Sequence, residues 1–442
     1  MGSDMEKTEQ FGIKAAVDVG STSIGIACIN ASDNSEICSF SFSNPQVKYG
    51  ADIITRIKRC IDDPKLPDIM SKELRRELFT RISEKLGENN ISYGVKTDKS
   101  DKNDEADKAD MSVKYDIYDN PEYKNAYISE ICYSGNTTML HILRGFSVKG
   151  LSKAPFTPVT LDYHVSETRV LFDDEECDNV FSKENLNSTD NESVIREHYL
   201  SGISAFIGAD ILSGAEFLKM GRNEGYDLLI DLGTNGELLL LNKHRGYAAS
   251  CACGPVFDHG VTGARYGSES IHAIAGCVKR GLIDKTGLIS EPFFDKGIEL
   301  DKGFVIRQEQ VRRFQMAKAA IYAGVKCLMK KAGIGYTDID KVFISGGLGF
   351  YLDVRDAFIT KMLPEDIKDK ITVSGNTSLE GAKRFIMAYD DAHTKDNKLK
   401  DDVLAERSAI LRTYDDIRRR TEAFELADYE DFQDIYIGAM NF

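Results

Sequence analysis

At 442 residues the chain is too long for one ordinary hydrophobic core, and domains of roughly 100 to 200 residues predict two or three of them, two being the first expectation. A hydrophobic fraction of 42% beside 29% charged residues excludes a disordered chain. Lys+Arg 56 against Asp+Glu 71 leaves a formal charge of −15, which argues against nucleic acid or an anionic membrane as partner and picks out no partner of its own.

Nine scattered cysteines, an odd number, predict buried free thiols in a reducing cytosol rather than a disulfide framework. Cys251 and Cys253 alone are close, and a lone C-x-C lacks the four thiolates of an iron–sulfur cluster. The polar start MGSDMEKTEQ has no signal core, and no run of about 18 apolar residues predicts a transmembrane helix, so a cytoplasmic location is expected.

In chain order, KAAVDVGSTSIGIACIN at 14–30 reads as a strand, a Gly/Ser/Thr turn and a second strand. Apolar residues at three- and four-residue spacing predict helices at 51–62, 72–86, 309–332 and 378–389. The Lys/Asp-rich stretch 94–114 reads as a disordered surface insertion, and the acidic stretch 173–193 as a second loop. The interdomain crossover falls near 200–226, before LLIDLGTNGELLLLNK at 228–243 repeats the plan of the first hairpin with Asp231 in the place of Asp18. EICYSGNTTMLHIL (130–143) and KVFISGGLGFYLD (341–353) form a second matched pair, each an apolar strand entering a small-residue turn. Two such pairs in the same order predict an α/β fold of two duplicated domains with a cleft between them. The expected division is 11–205, 206–395 and a C-terminal extension, 396–442, that forms a long helix and an apolar end docked on the body.

Polyphosphate binding with Mg²⁺ needs backbone N–H donors at tight turns of small residues. Gly20, Ser21, Thr22 and Ser23 offer one such tip, and Gly233, Thr234, Asn235 and Gly236 the other. Asp18 and Asp231 beside them are the candidate catalytic carboxylates, Asp18 holding Mg²⁺ through water. The turn holding Gly346, Gly347 and Gly349 leaves room for adenosine.

With these segments the chain resembles the actin, sugar kinase and DnaK-type chaperone superfamily, whose domains are actin-like (ribonuclease H-like). Within it, the chain resembles the ATP-dependent reductive activators of corrinoid-dependent proteins. That narrower likeness rests on SNPQVKYGADIITRI (43–57), SGNTTMLHIL (134–143), APFTPV (154–159), FIGADILSG (206–214), LLIDLGTNGELLL (228–240), CGPVFDHG (253–260), QMAKAAIYAGVKCL (315–328), ISGGLGFYLD (344–353) and the ending FQDIYIGAMNF. The resemblance implies ATP-driven reduction of a Co(II) corrinoid protein to Co(I) in an anaerobe, by a homodimer. It implies that Asn136, Thr137 and Thr138 sit at the cleft, with Gln315 and Lys318 on a helix facing the nucleotide.

Three departures qualify these expectations. Typical members carry an N-terminal ferredoxin-like domain with a two-iron cluster. This chain begins at the ATPase without matching cysteines, so no iron–sulfur cluster is expected in it, and a separate ferredoxin or flavoprotein supplies the electrons. The 254–283 region is short, placing Gly267, Ser268 and Glu269 at the family's Gly-Ser-Gly turn, where a carboxylate opposes phosphate unless Mg²⁺ or Lys318 intervenes. Asp258 stands where a Glu is expected. Two other readings of the same fold stay open: a small-molecule kinase with Asp231 as base, and a nucleotide-dependent regulatory module with little turnover.

Overall fold

Burial along each strand follows its place in a sheet. In β1 (Phe11–Val19) Ile13 to Val17 are buried without alternation, and β2 (Ser23–Asn30) is buried from Ile24 to Ile29, as strands covered on both faces must be. β3 (Glu36–Ser43) is only partly covered and lies at the sheet edge. The computed structural model describes residues 11–89, 91–93, 124–170, 193–253, 267–300, 303, 305–347, 352–388 and 397–442. The expected insertion at 94–114 and loop at 173–193, save Ser193, lie outside the described residues, as do Gly349 and Asp258.

After β3 come α1 (Ile53–Asp62) and α2 (Leu66–Glu88). Asp52 caps α1 by accepting from the Thr55 N–H. The α2 helix starts earlier than its periodicity suggested because Pro67 occupies the first turn, where its missing N–H costs nothing. Met70, Leu74, Leu78, Ile82 and Leu86 then recur every four residues and are buried. The first half continues through β4 (Ile91–Tyr93), β5 (Lys124–Gly135), α3 (Thr137–Leu143), β6 (His164–Val170), β7 (Ser193–Tyr199) and α4 (Ala209–Phe217). Its sheet runs β3-β2-β1-β5-β7-β6, with β4 beside the start of β5.

The second half opens with β8 (Tyr226–Leu232), β9 (Asn235–Leu241) and β10 (Gly246–Ala252), followed by α5 (Gly267–Lys279), the short pair β11 (Ile298–Glu299) and β12 (Val305–Ile306), and α6 (Gln308–Ala332). Its alanines face the sheet, and a Cβ on Gly324 would come within 2.4 Å of a Leu238 methyl, so the helix backbone lies directly on β9. Gly333, at φ 68°, ends it in the left-handed conformation. There follow β13 (Ile339–Ser345), α7 (Val354–Ile359), β14 (Ile371–Gly375), α8 (Thr377–Met387), α9 (Asn397–Arg420), β15 (Thr421–Ala423) and α10 (Phe432–Gly438).

The second sheet runs β14-β13-β8-β9-β10-β15. Each sheet therefore contains an antiparallel meander, β1-β2-β3 or β8-β9-β10, whose first strand pairs in parallel with the next element, β5 or β13, and that in turn with β7 or β14. This is the duplicated α/β architecture expected from the paired motifs.

Two helices of the second half, α8 and α9, cross to the first sheet and join α4 there. α4 and α8 pack against each other and against it, and Ile410, Tyr414 and Ile417 of α9 join the same core. Glycine permits the closest approach: a Cβ on Gly381 of α8 would meet the Ser213 carbonyl at 2.5 Å, and one on Gly214 of α4 the Thr377 hydroxyl at 2.6 Å. The C-terminal extension thus straddles the molecule, with α9 on the first core, β15 paired in parallel with β10, and α10 on α6. None of the described helices is long and apolar enough to cross a membrane.

Candidate functional site

The two hairpins meet tip to tip. The Thr22 and Thr234 hydroxyls are 2.6 Å apart, a hydrogen bond between residues contributed by different sheets. Behind the first tip, the carbonyl of Gly20 accepts from Asn44 Nδ2 at 2.8 Å, that of Ser21 from the buried guanidinium of Arg56 at 2.5 Å, and Ser21 Oγ from Asn136 Nδ2 at 3.2 Å. Gly20 is required by space, since a Cβ there would lie 2.5 Å from the Ser23 carbonyl.

Asp18 and Asp231 are each next to last in their strands, which places both beside the hairpin tips. Asp18 accepts from Asn376 Nδ2 at 2.8 Å and Ser378 Oγ at 2.7 Å. Asp231 accepts from Ser345 Oγ at 2.6 Å. Gly346, at φ 92°, lies against this carboxylate: a Cβ would come within 2.8 Å of Asp231 Oδ1 and 2.5 Å of the Leu232 carbonyl. Gly347 faces open space.

Two further carboxylates converge here. Asp210, in the first turn of α4, is pushed up to about 8 by burial and then by the charges of Asp231 and Asp18. Glu237 on β9, which is 6% exposed, is pushed well up by burial and then by Asp210 and Asp231. Asp231 itself is raised to about 6 by burial and Asp18, against the pull of its Ser345 hydrogen bond. Burial also raises Asp18, against its two donors. Hydrogen-bonded yet mutually repelling acids are a donor set that a hard divalent cation relieves. Among the described residues no three His, Cys, Asp or Glu side chains are grouped to chelate a metal by themselves.

The cleft residues Asn136, Thr137 and Thr138 are all buried where β5 enters α3. Asn136 caps the helix by accepting from the Met139 N–H while it holds Ser21, and Thr137 Oγ1 donates to the Ser204 carbonyl at 2.6 Å. Ser23, Asn235 and Gly236 open the strands that leave the two tips, and Gly233 donates its N–H to the Asn235 carbonyl at 3.1 Å. Gly236 is packed from behind, since a Cβ there would meet Cys251 Sγ at 2.7 Å.

Gln315 and Lys318 engage a different neighbour. Gln315 Nε2 donates to the Met440 carbonyl at 2.8 Å, and Lys318 Nζ to that of Asn441 at 2.5 Å. The C-terminal segment therefore covers the α6 side chains that were expected to face the nucleotide. Gly267, Ser268 and Glu269 form the first turn of α5.

Sequence reading passed over Asp210, Glu237, Asn376 and Ser378. A signal existed for the last two, because Ser374-Gly375-Asn376-Thr377-Ser378 repeats Ser134-Gly135-Asn136-Thr137-Thr138 almost residue for residue. In both copies the Asn side chain caps a helix and reaches the first hairpin or its Asp. For Asp210 the position in the first turn of a helix entered through Gly208 was a weaker sign.

Comparison with known proteins agrees with this organisation. Residues 12–95 and 112–223 match the RACo middle region, and 225–267 and 259–442 match the C-terminal domain of RACo, the ASKHA domain. The corrinoid activation enzyme RamQ of Eubacterium limosum is 26% identical over 436 residues, covering 85% of this chain and 64% of that protein. The [Co(II) methylated amine-specific corrinoid protein] reductase of Methanosarcina barkeri is 34% identical over 122 residues, covering 27% of this chain and 22% of that protein. This chain thus spans less than two thirds of either relative. A solved structure described as a reductive activator for corrinoid, iron-sulfur protein matches 99% of the chain and 66% of its own length at TM-score 0.73 and 21% identity, a likeness of fold.

Proposed function

Because the chain belongs to the RACo family, we propose that it is an ATP-dependent reductive activator that uses hydrolysis to drive a partner corrinoid protein from Co(II) to Co(I). The observation that carries this reading is the convergence of four carboxylates on two hairpin tips hydrogen-bonded to each other across the domains. Relatives named for corrinoid activation and corrinoid-protein reduction support the substrate class.

The phosphates are taken between Gly20 to Ser23 and Gly233 to Gly236, replacing the Thr22–Thr234 contact, and adenosine lies over Gly346, Gly347 and Gly349. Asp231, held in orientation by Ser345, is mostly ionised at neutral pH when raised only to about 6, and accepts a proton from the attacking water. Asp18, fixed by Asn376 and Ser378, is the residue that would hold Mg²⁺ through water. Bound there, the ion neutralises phosphate charge and relieves the repulsion among the four acids. Electrons come from a separate ferredoxin or flavoprotein, and the working form is a cytoplasmic homodimer.

The test is ATP hydrolysis by the purified protein, alone and with a Co(II) corrinoid protein and reduced ferredoxin, while Co(I) is followed by its absorption. Hydrolysis stimulated by the corrinoid protein, with Co(I) formed only when ATP is present, is expected. Bound ATP that stays intact, with no Co(I), would leave a nucleotide-dependent regulatory module in its place.

A further inference from the structure

A cavity of about 410 Å³ lies between the two halves, separate from the hairpin tips. One wall is first-half chain, from Ala154 to Phe156 and from Ser204 to Ile207. The other is second-sheet chain, from Ala249 and Ser250 on β10 to the segment between Ala423 and Asp428 that follows β15. Its volume is within the range of about 300 to 1,000 Å³ of specific binding pockets.

Three features indicate what it receives. Phe156 and Phe206 meet edge to face at 4.8 Å and form an apolar, aromatic side. Phe156 holds φ 24°, an unfavourable backbone angle for a bulky residue and one that tends to persist at functional positions. Opposite stand the exposed acids Glu425 and Asp428; partial burial and then the charge of Asp428 raise the Glu425 carboxyl, and neither acid forms an ion pair among the described residues. Aromatic rings facing a pair of acids suit a guanidinium on an alkyl stem, which stacks on the rings while its planar fork reaches the carboxylates. The wall reaches the surface at exposed Pro155, as a protein contact would require.

We propose that this cavity docks an arginine side chain of the protein partner. The inference rests on the activator reading for the identity of that partner. Because the walls belong to different halves, an inserted side chain bridges them, so its affinity depends on how far the cleft has closed. By linkage, nucleotide and partner must then change each other's affinity by the same factor.

The experiment measures binding of a purified Co(II) methylated-amine corrinoid protein, with and without a non-hydrolysable ATP analogue, to the full chain and to the variants Glu425→Lys, Asp428→Lys and Ala423→Phe. The first two reverse the charge, and the third fills the cavity from β15. Each variant is expected to weaken partner binding at least about tenfold, the loss typical of a hot-spot contact, and to leave analogue affinity unchanged. Hydrogen exchange at 154–156 and 423–428 is expected to slow on partner binding to the parent chain only. Partner binding by the variants at parental strength, with no protection of those segments, would overturn the docking site while the activator reading stands. Slowed exchange of the same segments by free arginine amide, with no effect of the variants on the corrinoid protein, would make it a small-molecule site and overturn the protein assignment. A parent chain that binds nucleotide but no corrinoid protein would reject the activator reading and this partner with it.

Discussion

Asp210 illustrates how a single carboxylate stores the chemistry of the whole cleft. Its folded value near 8 lies above that of an unfolded Asp, near 3.9, so between those limits the folded state binds the extra proton. Stability from this group is therefore full at low pH and is lost as pH rises toward 8. Asp231, raised to about 6, acts in the same direction over a narrower window. Asp210→Asn is expected to raise the midpoint of thermal unfolding at pH 8, by an amount worth at least about 1 kcal/mol, and to flatten its fall between pH 5 and 8. Melting curves across that range in the absence of Mg²⁺ check this, and a parallel profile for parent and variant would exclude ionisation of Asp210 as the cause. Asp231→Ala separates the roles further. Nucleotide affinity is expected to stay within a few-fold and turnover to vanish, as read by nucleotide titration and phosphate release.

At the scale of elements, the repeated Ser-Gly-Asn-Thr entrances to α3 and α8 fasten the same hairpin from two sides. Asn376→Ala removes both the cap on the Leu379 N–H and a donor to Asp18, so a loss of about 1 kcal/mol in stability should accompany weaker nucleotide binding. Urea unfolding and nucleotide titration together would detect a cap that acts on stability alone. At the other end of the chain, Phe442 is 6% exposed, stacks on Phe314 at 6.1 Å, and donates its N–H to the Lys285 carbonyl. Lys361 Nζ reaches the Phe442 carbonyl at 2.8 Å. Phe442→Ala should cost about 3 to 5 kcal/mol if the segment is part of the cooperative unit. It should also free Lys318, whose value burial and then Lys361 hold near 7. Unfolding measured at pH 7 and 9 checks both: Lys318 contributes stability that rises with pH in the parent, because its folded form binds fewer protons than the unfolded chain, so the gap between parent and variant should widen from pH 7 to pH 9.

For the molecule as a whole, the order of strands was readable because each meander announces itself locally, as an apolar strand, a small-residue tip and a second strand. Asp18, Asp231 and the tips were legible for that reason. Asp210 and Glu237 were not, because their meaning comes from charges brought near by the fold, and no local pattern marks a residue whose partner lies in the other half. Nor did the apolar ending FQDIYIGAMNF reveal that it would cover Gln315 and Lys318. The crossing of α4 and α8 was hidden in the same way, since a glycine in a helix is legible only as a weak propensity until its neighbour is known. Yet that crossing helps position the site, because α4 carries Asp210 and α8 carries Ser378, and both helices rest on the first sheet. A side chain at Gly381 has no room beside the Ser213 carbonyl, 2.5 Å from its Cβ, and the contact is backbone that cannot rotate away. Gly381→Val is therefore expected to force the helices apart, costing about 1 to 3 kcal/mol in urea unfolding and weakening nucleotide binding at the same time. Gly276→Ala on α5 is the matched control, because its Cβ meets nothing within 4 Å and should add about 0.5 to 1 kcal/mol of helix stability without touching the cleft. Loss of stability in Gly381→Val with unchanged nucleotide affinity would mean that the crossing supports the core and leaves the positions of Asp210 and Ser378 to other contacts.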